Sequence, residues 1–293
     1  MKRKSILLLV IVLLSTGYAR AGTWTTLDAP GAIHTRITGI DGSKLVGIYY
    51  DGSNYHGSLY DGTTWTTLDP PGSTETYISD ISGSNLVGSY YHYHSGYHGF
   101  IYNGISWTNM DMPEALYLYV RGISGNNIIG YYKDASLNYH GFLYNGTTYT
   151  TLDMPEAYYT RIFDISGNNM VGFYGDYFGL THGFLYDGAT WATLDMPGAT
   201  ATFVYGIDGD NLVGSYTDVS GDHGFLYNGT TWTTLDMPGA ASTYIQNVDG
   251  SNFVGFYYDS SGYEHGFLYM IPEPATLLLF GLGGVAVLRR RRA

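Results

Sequence analysis

The chain has 293 residues, no cysteine and little positive charge. Without cysteine no disulfide can stabilise the fold, so its stability must come from a packed core, for which about 250 residues in one domain suffice. Residues 22–270 contain five lysines and arginines against twenty-four acidic residues, a net charge of −19. Nucleic acid and anionic lipid surfaces repel this charge, which excludes them as partners. Neutral glycans and metal cations remain as partners that are compatible with a net negative charge.

Long apolar runs are also absent, and a short one lies near each end. The N-terminal run covers residues 6–14, between basic residues at positions 2–4 and a small-x-small site formed by Ala19 and Ala21. These three parts in this order are typical of a secretory signal peptide. We predict a signal peptide over residues 1–21, removed by signal peptidase, and a mature chain that starts at Gly22 outside the cytoplasm. A short buried helix is the alternative for the apolar run alone.

One pattern occurs six times with a period of 41 or 42 residues, and a fixed period of this length is typical of repeat architectures. Its best copy, residues 223–240, reads HGFLYNGTTWTTLDMPGA. The His-Gly pair recurs at His56, His98, His140, His182, His223 and His265. The aromatic residue of WTTLD recurs at Trp24, Trp65, Trp107, Tyr149, Trp191 and Trp232.

Each repeat contains strand signals and no helix signal. HGFLY and WTTLD are rich in aromatic and β-branched residues, and the Asn-Gly or Asp-Gly pair that usually separates them favours the turn of an antiparallel hairpin. A proline corner follows WTTLD, and then two more strands, such as residues 160–165 and 170–174. The sequence therefore predicts an all-β fold, a six-bladed β-propeller over residues 22–270 with four strands per blade. A parallel β-helix, the alternative, would lack tight Asn-Gly hairpins.

The first and last repeats are complementary halves. The first WTTLD, residues 23–28, has no HGFLY before it, and the last HGFLY, residues 265–269, has no WTTLD after it. If these two segments pair as neighbouring strands, the N-terminal strand completes the C-terminal blade and closes the ring. We therefore predict a propeller that is latched by its N-terminal strand.

The C-terminal segment, residues 271–293, contains three elements in order. They are Pro272, Glu273 and Pro274, an apolar run at 275–288, and Arg289, Arg290, Arg291 and Arg292. Together they resemble the PEP-CTERM sorting signal of Gram-negative bacteria, which implies cutting near Pro-Glu-Pro by the membrane transpeptidase exosortase and delivery to the cell surface or beyond. At about 1.5 Å per residue the run spans about 21 Å of a ~30 Å hydrocarbon core, so it would hold the chain in the inner membrane only transiently. An ordinary tail anchor is the alternative.

The repeats carry a second resemblance. Residues 212–227 match the Gly-rich core of the HAF-type extracellular repeat, "VG-Y-D--G--HGFLY", and the likeness extends over residues 23–269. It implies a secreted bacterial surface protein whose biochemical role is largely unassigned. The resemblance therefore supports a location more than a function.

One loop differs between the six copies far more than the rest of the repeat. It lies between the Val-Gly pair and the His-Gly pair, spans 9 or 10 residues, and should share a face with the proline corners. Because propellers commonly bind ligands on such a face, this variable loop is the candidate binding site. Its candidate residues are Tyr50, Asp51, Tyr91, Tyr93, Tyr132, Asp134, Asp176, Tyr177, Asp218, Tyr258 and Asp259.

The histidines and aspartates of the repeat have structural interpretations. One histidine per blade at the same position would lie far from its copies, whereas zinc needs three or four donors around one point, so we expect hydrogen-bonded histidines and no metal site. The loop aspartates precede turn glycines or their equivalents and should bond their own turns. Calcium is the alternative for these carboxylates. The tyrosines have flat faces and hydroxyl groups that suit sugars and proteins, although strands also favour tyrosine.

No nucleophile motif, paired-carboxylate site or phosphate loop is present, so we expect no catalytic residue and no cofactor. The sequence favours an exported, non-enzymatic surface or matrix protein that binds a glycan, such as an exopolysaccharide, or a protein through the variable loops. The alternatives are a purely structural extracellular module and a propeller enzyme that acts on polysaccharide.

Overall fold

A computed structural model describes residues 22–272, and every regular element in that range is a β-strand. The signal-peptide prediction, including Ala19 and Ala21, lies outside the described residues, as does the sorting segment beyond Pro272. Thr23–Met270 form one compact unit.

The unit contains 24 strands, one before the first repeat and three or four in each repeat. They are β1 (Thr23–Thr26); β2 (His34–Asp41), β3 (Lys44–Tyr50), β4 (Tyr55–Tyr60), β5 (Trp65–Thr67); β6 (Glu75–Ser82), β7 (Asn85–His92), β8 (Gly96–Tyr102), β9 (Trp107–Met110); β10 (Tyr117–Ser124), β11 (Asn127–Lys133), β12 (Tyr139–Tyr144), β13 (Tyr149–Leu152); β14 (Tyr159–Ser166), β15 (Asn169–Gly175), β16 (Thr181–Tyr186), β17 (Trp191–Leu194); β18 (Ala201–Asp208), β19 (Asn211–Asp218), β20 (Gly221–Tyr227), β21 (Trp232–Thr234); and β22 (Ser242–Asp249), β23 (Asn252–Tyr258), β24 (Glu264–Met270).

The strands form four four-stranded sheets and one eight-stranded sheet. Within each repeat the neighbours are antiparallel, in the order β2-β3-β4-β5 for the first repeat. The eight-stranded sheet contains two such sets, β14–β17 and β18–β21, which a single parallel bridge between Thr181 and Ala201 connects. The sheets confirm the predicted all-β propeller fold.

Turn chemistry explains the hairpins. Gly146 and Gly229, which follow asparagine between HGFLY and WTTLD, have φ of 93° and 85°, a region that glycine enters without steric cost. Each first strand also carries a bulge that the sequence did not reveal, for example between Ile162 and Asp164. The structure thus extends the predicted strands by about one residue at each end and adds an irregularity in the first of them.

The N-terminal strand completes the last sheet, as the half-repeats predict. β1 pairs with β24 in antiparallel register, from Thr23 opposite Met270 to Thr26 opposite Phe267. The backbone N–H of Leu27 extends this pairing by donating to the Gly266 carbonyl at 2.8 Å. The last sheet therefore has the order β1-β24-β23-β22.

The first strand of each repeat lies at the centre. β2, β6, β10, β14, β18 and β22 contact one another in a closed circuit, in which β22 returns to β2. Chain direction alternates along each sheet, so the variable loops and the proline corners share one side of the molecule, here called the loop face. The tight hairpins share the other side, here called the hairpin face. The predicted placement of the variable loops beside the corners follows directly from this topology.

Candidate functional site: the loop face

Each repeat ties its variable loop to its proline corner through the repeated histidine. In all six copies Nδ1 of the histidine lies 2.7–2.9 Å from the aspartate that ends WTTLD, and because a carboxylate only accepts, the ring nitrogen donates. The pairs are His56–Asp69, His98–Asp111, His140–Asp153, His182–Asp195, His223–Asp236 and His265–Asp28. We call each pair a histidine clamp.

The opposite ring nitrogen faces the variable loop. Nε2 lies 3.3–3.7 Å from a loop carboxylate in five repeats, and in the second repeat it lies 2.8 Å from Ser95 Oγ. The hydrogen bond to Asp236 raises the pKa of His223, and partial burial acts against it. A clamp histidine is therefore a rigid link between two loops, and each one lies in its own repeat.

The candidate aspartates of the variable loops are turned toward their own backbone. Asp176 accepts hydrogen bonds from the N–H groups of Phe178 and Leu180, each at 2.8 Å, and these bonds lower the pKa of its carboxyl group. Similar turn bonds fix Asp51, Asp134, Asp218 and Asp259. Each aspartate thus has a structural partner in its own turn, whatever else it binds.

The candidate tyrosines divide by exposure. Tyr93 and Tyr177 are 75% and 74% exposed on the loop face. Tyr50, Tyr91 and Tyr258 are half-buried, and the Tyr258 hydroxyl donates to Glu264 at 2.9 Å. Tyr132 is only 5% exposed and packs in a core cluster, with its hydroxyl 3.0 Å from Thr151 Oγ1. Little of the Tyr132 ring is left for a ligand, because strand β11 is covered on both faces.

Exposed apolar side chains are concentrated on the loop face. Of twelve large hydrophobic residues that are exposed in the described part of the chain, ten lie there, and only Ile105 and Met270 lie at the hairpin face. The ten are Ile33, Tyr93, Leu116, Leu137, Tyr158, Tyr177, Phe178, Leu180, Val219 and Tyr263. Of these ten, only Tyr93 and Tyr177 were predicted from the sequence. An apolar residue at the tip of a variable loop or after a proline corner is the signal that indicates the other eight.

The fourth repeat carries the largest exposed group. Phe178 is 92% exposed, and Tyr177 packs edge-on against Tyr158 with 5.9 Å between ring centroids. Tyr158 comes from the proline corner and Tyr177 from the variable loop, so the two connections of this repeat form one aromatic surface. An exposed apolar patch of this kind marks a binding surface more often than an isolated residue does.

A cavity between the second and third repeats has an aromatic and cationic lining. The cavity of about 240 Å³ is lined by Tyr77, Ser79, Ser89, Tyr97, Tyr119 and Arg121. Arg121 has a buried Nε without a hydrogen-bond partner, and its Nη2 donates to the Tyr131 hydroxyl at 2.7 Å. Burial raises the pKa of Tyr119 to about 12, so its hydroxyl stays neutral.

The described residues were also searched for metal-ligand clusters and membrane spans. Within residues 22–272 no three His, Asp or Glu side chains are grouped so that they could hold a metal ion. Over the same range there is no helix long and apolar enough to cross a membrane. The candidate apolar run at 275–288 lies outside it.

Solved structures with the same fold include proteins of different functions. A fungal lectin from Aleuria aurantia, described as a six-bladed β-propeller that recognises fucose, has 14% identity and a TM-score of 0.53, with 83% of this chain and 93% of that chain covered. A putative TolB from Agrobacterium tumefaciens has 14% identity and a TM-score of 0.57, with 84% and 92% covered. The β-propeller domain of the trilobed protease from Pyrococcus furiosus has 9% identity and a TM-score of 0.54, with 83% and 82% covered. At these identities the likeness shows the fold alone.

The C-terminus matches a sequence family. Residues 271–292 match the PEP-CTERM protein-sorting motif, which confirms the resemblance seen in the sequence and indicates export through the exosortase system. The chain matches no curated protein. The chain is therefore an all-β propeller that ends in a PEP-CTERM sorting motif.

Proposed function

We propose that this protein is a non-enzymatic component of the bacterial surface or matrix that binds glycan through the loop face of a six-bladed propeller. The eight-stranded sheet counts as two blades, because its halves are separate antiparallel sets with one bridge between them. Six first strands in one closed circuit support this number. The repeats are of the HAF type, and the binding residues are the exposed members of the variable loops.

The observation that carries the proposal is the concentration of exposed apolar side chains on one face. Tyr177 and Phe178 expose aromatic faces in an acidic molecule, and aromatic faces bind the C–H surfaces of sugars and the hot spots of protein partners. The histidine clamps hold the loops to the corners, so the face is rigid before a ligand arrives and less ordering entropy opposes binding. The carboxylates beside the aromatic rings can accept hydrogen bonds from sugar hydroxyls.

A neutral glycan fits this surface better than an anionic one. The region from 22 to 270 carries a net charge of −19, which disfavours acidic polysaccharides at low salt. The lectin among the structural neighbours shows that this fold can carry sugar sites. A protein partner is the second candidate, because exposed aromatic residues serve protein interfaces equally well.

Sorting completes the proposal. We propose that signal peptidase removes residues 1–21, that the C-terminal segment holds the folded propeller at the inner membrane transiently, and that exosortase cuts near Pro272. The mature form on the surface or in the medium should then lack residues 275–293, which an intact-mass measurement detects. A surface form that keeps its arginine tail would contradict the processing.

Binding is tested with a glycan array probed by the mature propeller, with and without calcium. The proposal predicts binding to neutral polysaccharide fragments that falls at least tenfold in the double variant Tyr177→Ala/Phe178→Ala. Ile105→Ala is the matched control, since Ile105 is 90% exposed on the hairpin face. Absence of binding to every glycan, or equal losses in both variants, would overturn the proposed function. Loss of binding without calcium would assign the loop carboxylates to an ion.

A further inference from the structure

One repeat lacks a core residue that the other five contain. The residue after His-Gly is phenylalanine in five copies and is fully buried in each: Phe100, Phe142, Phe184, Phe225 and Phe267. Each phenyl ring packs edge-on against the aromatic residue of WTTLD, at 4.9–5.7 Å between centroids. In the first repeat the same position is Ser58.

The serine side chain is too small to fill the space that the phenyl ring takes in the other repeats. Ser58 is 1% exposed, and its Oγ has no hydrogen-bond partner. A cavity of about 220 Å³ adjoins it, lined by Tyr49, Trp65, Thr66, Thr67 and the corner formed by Ala29 and Pro30. Ser58, Trp65 and Thr67 lie on one face of the sheet, because Ser58 pairs with Thr67 and strand side chains alternate.

The cavity is partly open to solvent and large enough to admit a small ligand. Native proteins pack their interiors closely and rarely leave a buried hydroxyl unpartnered. At ~30 Å³ per water molecule the space corresponds to about seven waters, far more than one bridging water. Five other copies show that the fold accepts a ring here, so the serine is not required by the backbone.

The lining of the cavity indicates what the occupant is. Trp65 has Tyr60 as an aromatic neighbour, at 5.0 Å between centroids, and no phenyl ring against it, so part of its indole surface lines the cavity. Hydroxyl groups lie around it: Ser58 Oγ, and the Tyr49 hydroxyl 2.8 Å from Thr67 Oγ1. None of the lining residues carries a formal charge. A flat apolar wall with hydroxyl groups beside it matches a neutral sugar ring, which has one apolar face and hydroxyls at its edge.

We propose that the cavity at Ser58 is a binding pocket for one neutral sugar ring, stacked on Trp65 and hydrogen-bonded to Ser58. This inference rests on the proposed glycan-binding function and adds a pocket to which the variable loops contribute only Tyr49. The pocket occurs once, between the first repeat and the corner that follows the N-terminal strand. It therefore binds a single residue of a longer glycan that also contacts the loop face.

The test restores the phenylalanine that the other repeats use. Calorimetric titration of the mature protein with the methyl glycosides of glucose, galactose, mannose and fucose should detect binding of at least one of them. Ser58→Phe should weaken this binding at least tenfold, and it should raise Tm because it fills space beside Trp65 and removes the unpartnered hydroxyl. Trp107→Phe is the control: Trp107 is the counterpart of Trp65 but packs against Phe100, so its replacement should leave binding unchanged.

The outcomes separate the inference from the proposed function. Unchanged glycoside binding by Ser58→Phe would overturn the inference, as would a wild type that binds none of the four glycosides. In either case polysaccharide binding that depends on Tyr177 and Phe178 would leave the proposed function standing. If Ser58→Phe does not fold, Trp65→Ala replaces it as the binding test. Loss of glycoside binding with Trp65→Ala and not with Trp107→Phe supports the pocket, and retention overturns it.

Discussion

Replacement of Trp24 by alanine should weaken the closure of the propeller. The indole lies 4.9 Å from the Phe267 ring and 4.3 Å from the Tyr269 ring, between centroids, so it packs the N-terminal strand onto β24. Truncation of a fully buried aromatic residue costs about 3–5 kcal/mol, and because Trp24 is half-buried we expect about 2–3 kcal/mol. For a domain of this size that corresponds to a fall in Tm of about 4–12 °C.

The assay is thermal and urea unfolding of Trp24→Ala beside Thr25→Ala. Thr25 is exposed on the same strand, so its replacement should change the free energy of unfolding by less than about 0.5 kcal/mol. Equal effects of the two substitutions would refute the latch. Removal of residues 22–28 should have a larger effect, since it leaves β24 with an unpaired edge and favours aggregation.

Three further substitutions test separate parts of the fold by equilibrium unfolding. Glu156 has a φ of 62°, a left-handed conformation that strains a residue with a Cβ, and the equivalent residue in the next repeat is Gly198, with a φ of 86°. Glu156→Gly should therefore stabilise the folded state by about 0.5–1 kcal/mol, and destabilisation would contradict backbone strain at Glu156. Glu264 is 5% exposed, and its carboxylate oxygens accept hydrogen bonds from the partly exposed Arg36 guanidinium at 2.5 and 2.8 Å. Glu264→Gln should lower the free energy of unfolding by about 2–3 kcal/mol, and no change would mean that this ion pair does not stabilise the fold. Burial raises the pKa of Asp164 to about 7, whereas the unfolded carboxyl titrates near 4. The folded state then holds a proton that the unfolded chain releases, so the stability this group contributes is full below pH ~4 and falls by up to about 4 kcal/mol as the pH rises to ~7. Asp164→Asn should reduce this loss of stability with rising pH. If the free energy of unfolding of the variant and of the wild type changed with pH in parallel, the raised pKa of Asp164 would be contradicted.

The strands, hairpins and closure could be predicted from the sequence because each depends on local chemistry or on repeat counting. Asn-Gly pairs specify turns, prolines end strands, and two complementary half-repeats specify that β1 pairs with β24. The structural role of the histidines was also predictable, since six copies far apart cannot share one metal ion. Five of the partner aspartates lie thirteen residues after their histidine, whereas Asp28 lies 237 residues before His265, and these pairings were visible only in the structure.

The exposure of individual side chains was less predictable than the fold. Tyr132 and Tyr177 lie in equivalent regions of neighbouring repeats, yet one is 5% exposed and the other 74%. The difference depends on whether the residue is still within the strand, covered on both faces, or already in the turn. Ser58 departs from HGFLY in the sequence, but the cavity beside it is visible only in the structure.

Hydrogen–deuterium exchange of the mature propeller, with and without a glycan that it binds on the array, tests the central claim most directly. The account predicts that the glycan slows exchange in the variable loops, above all at residues 176–180, and leaves the hairpins, such as residues 187–190, unchanged. Protection confined to the hairpin face, or no protection on either face with bound glycan, would contradict a binding site on the loop face.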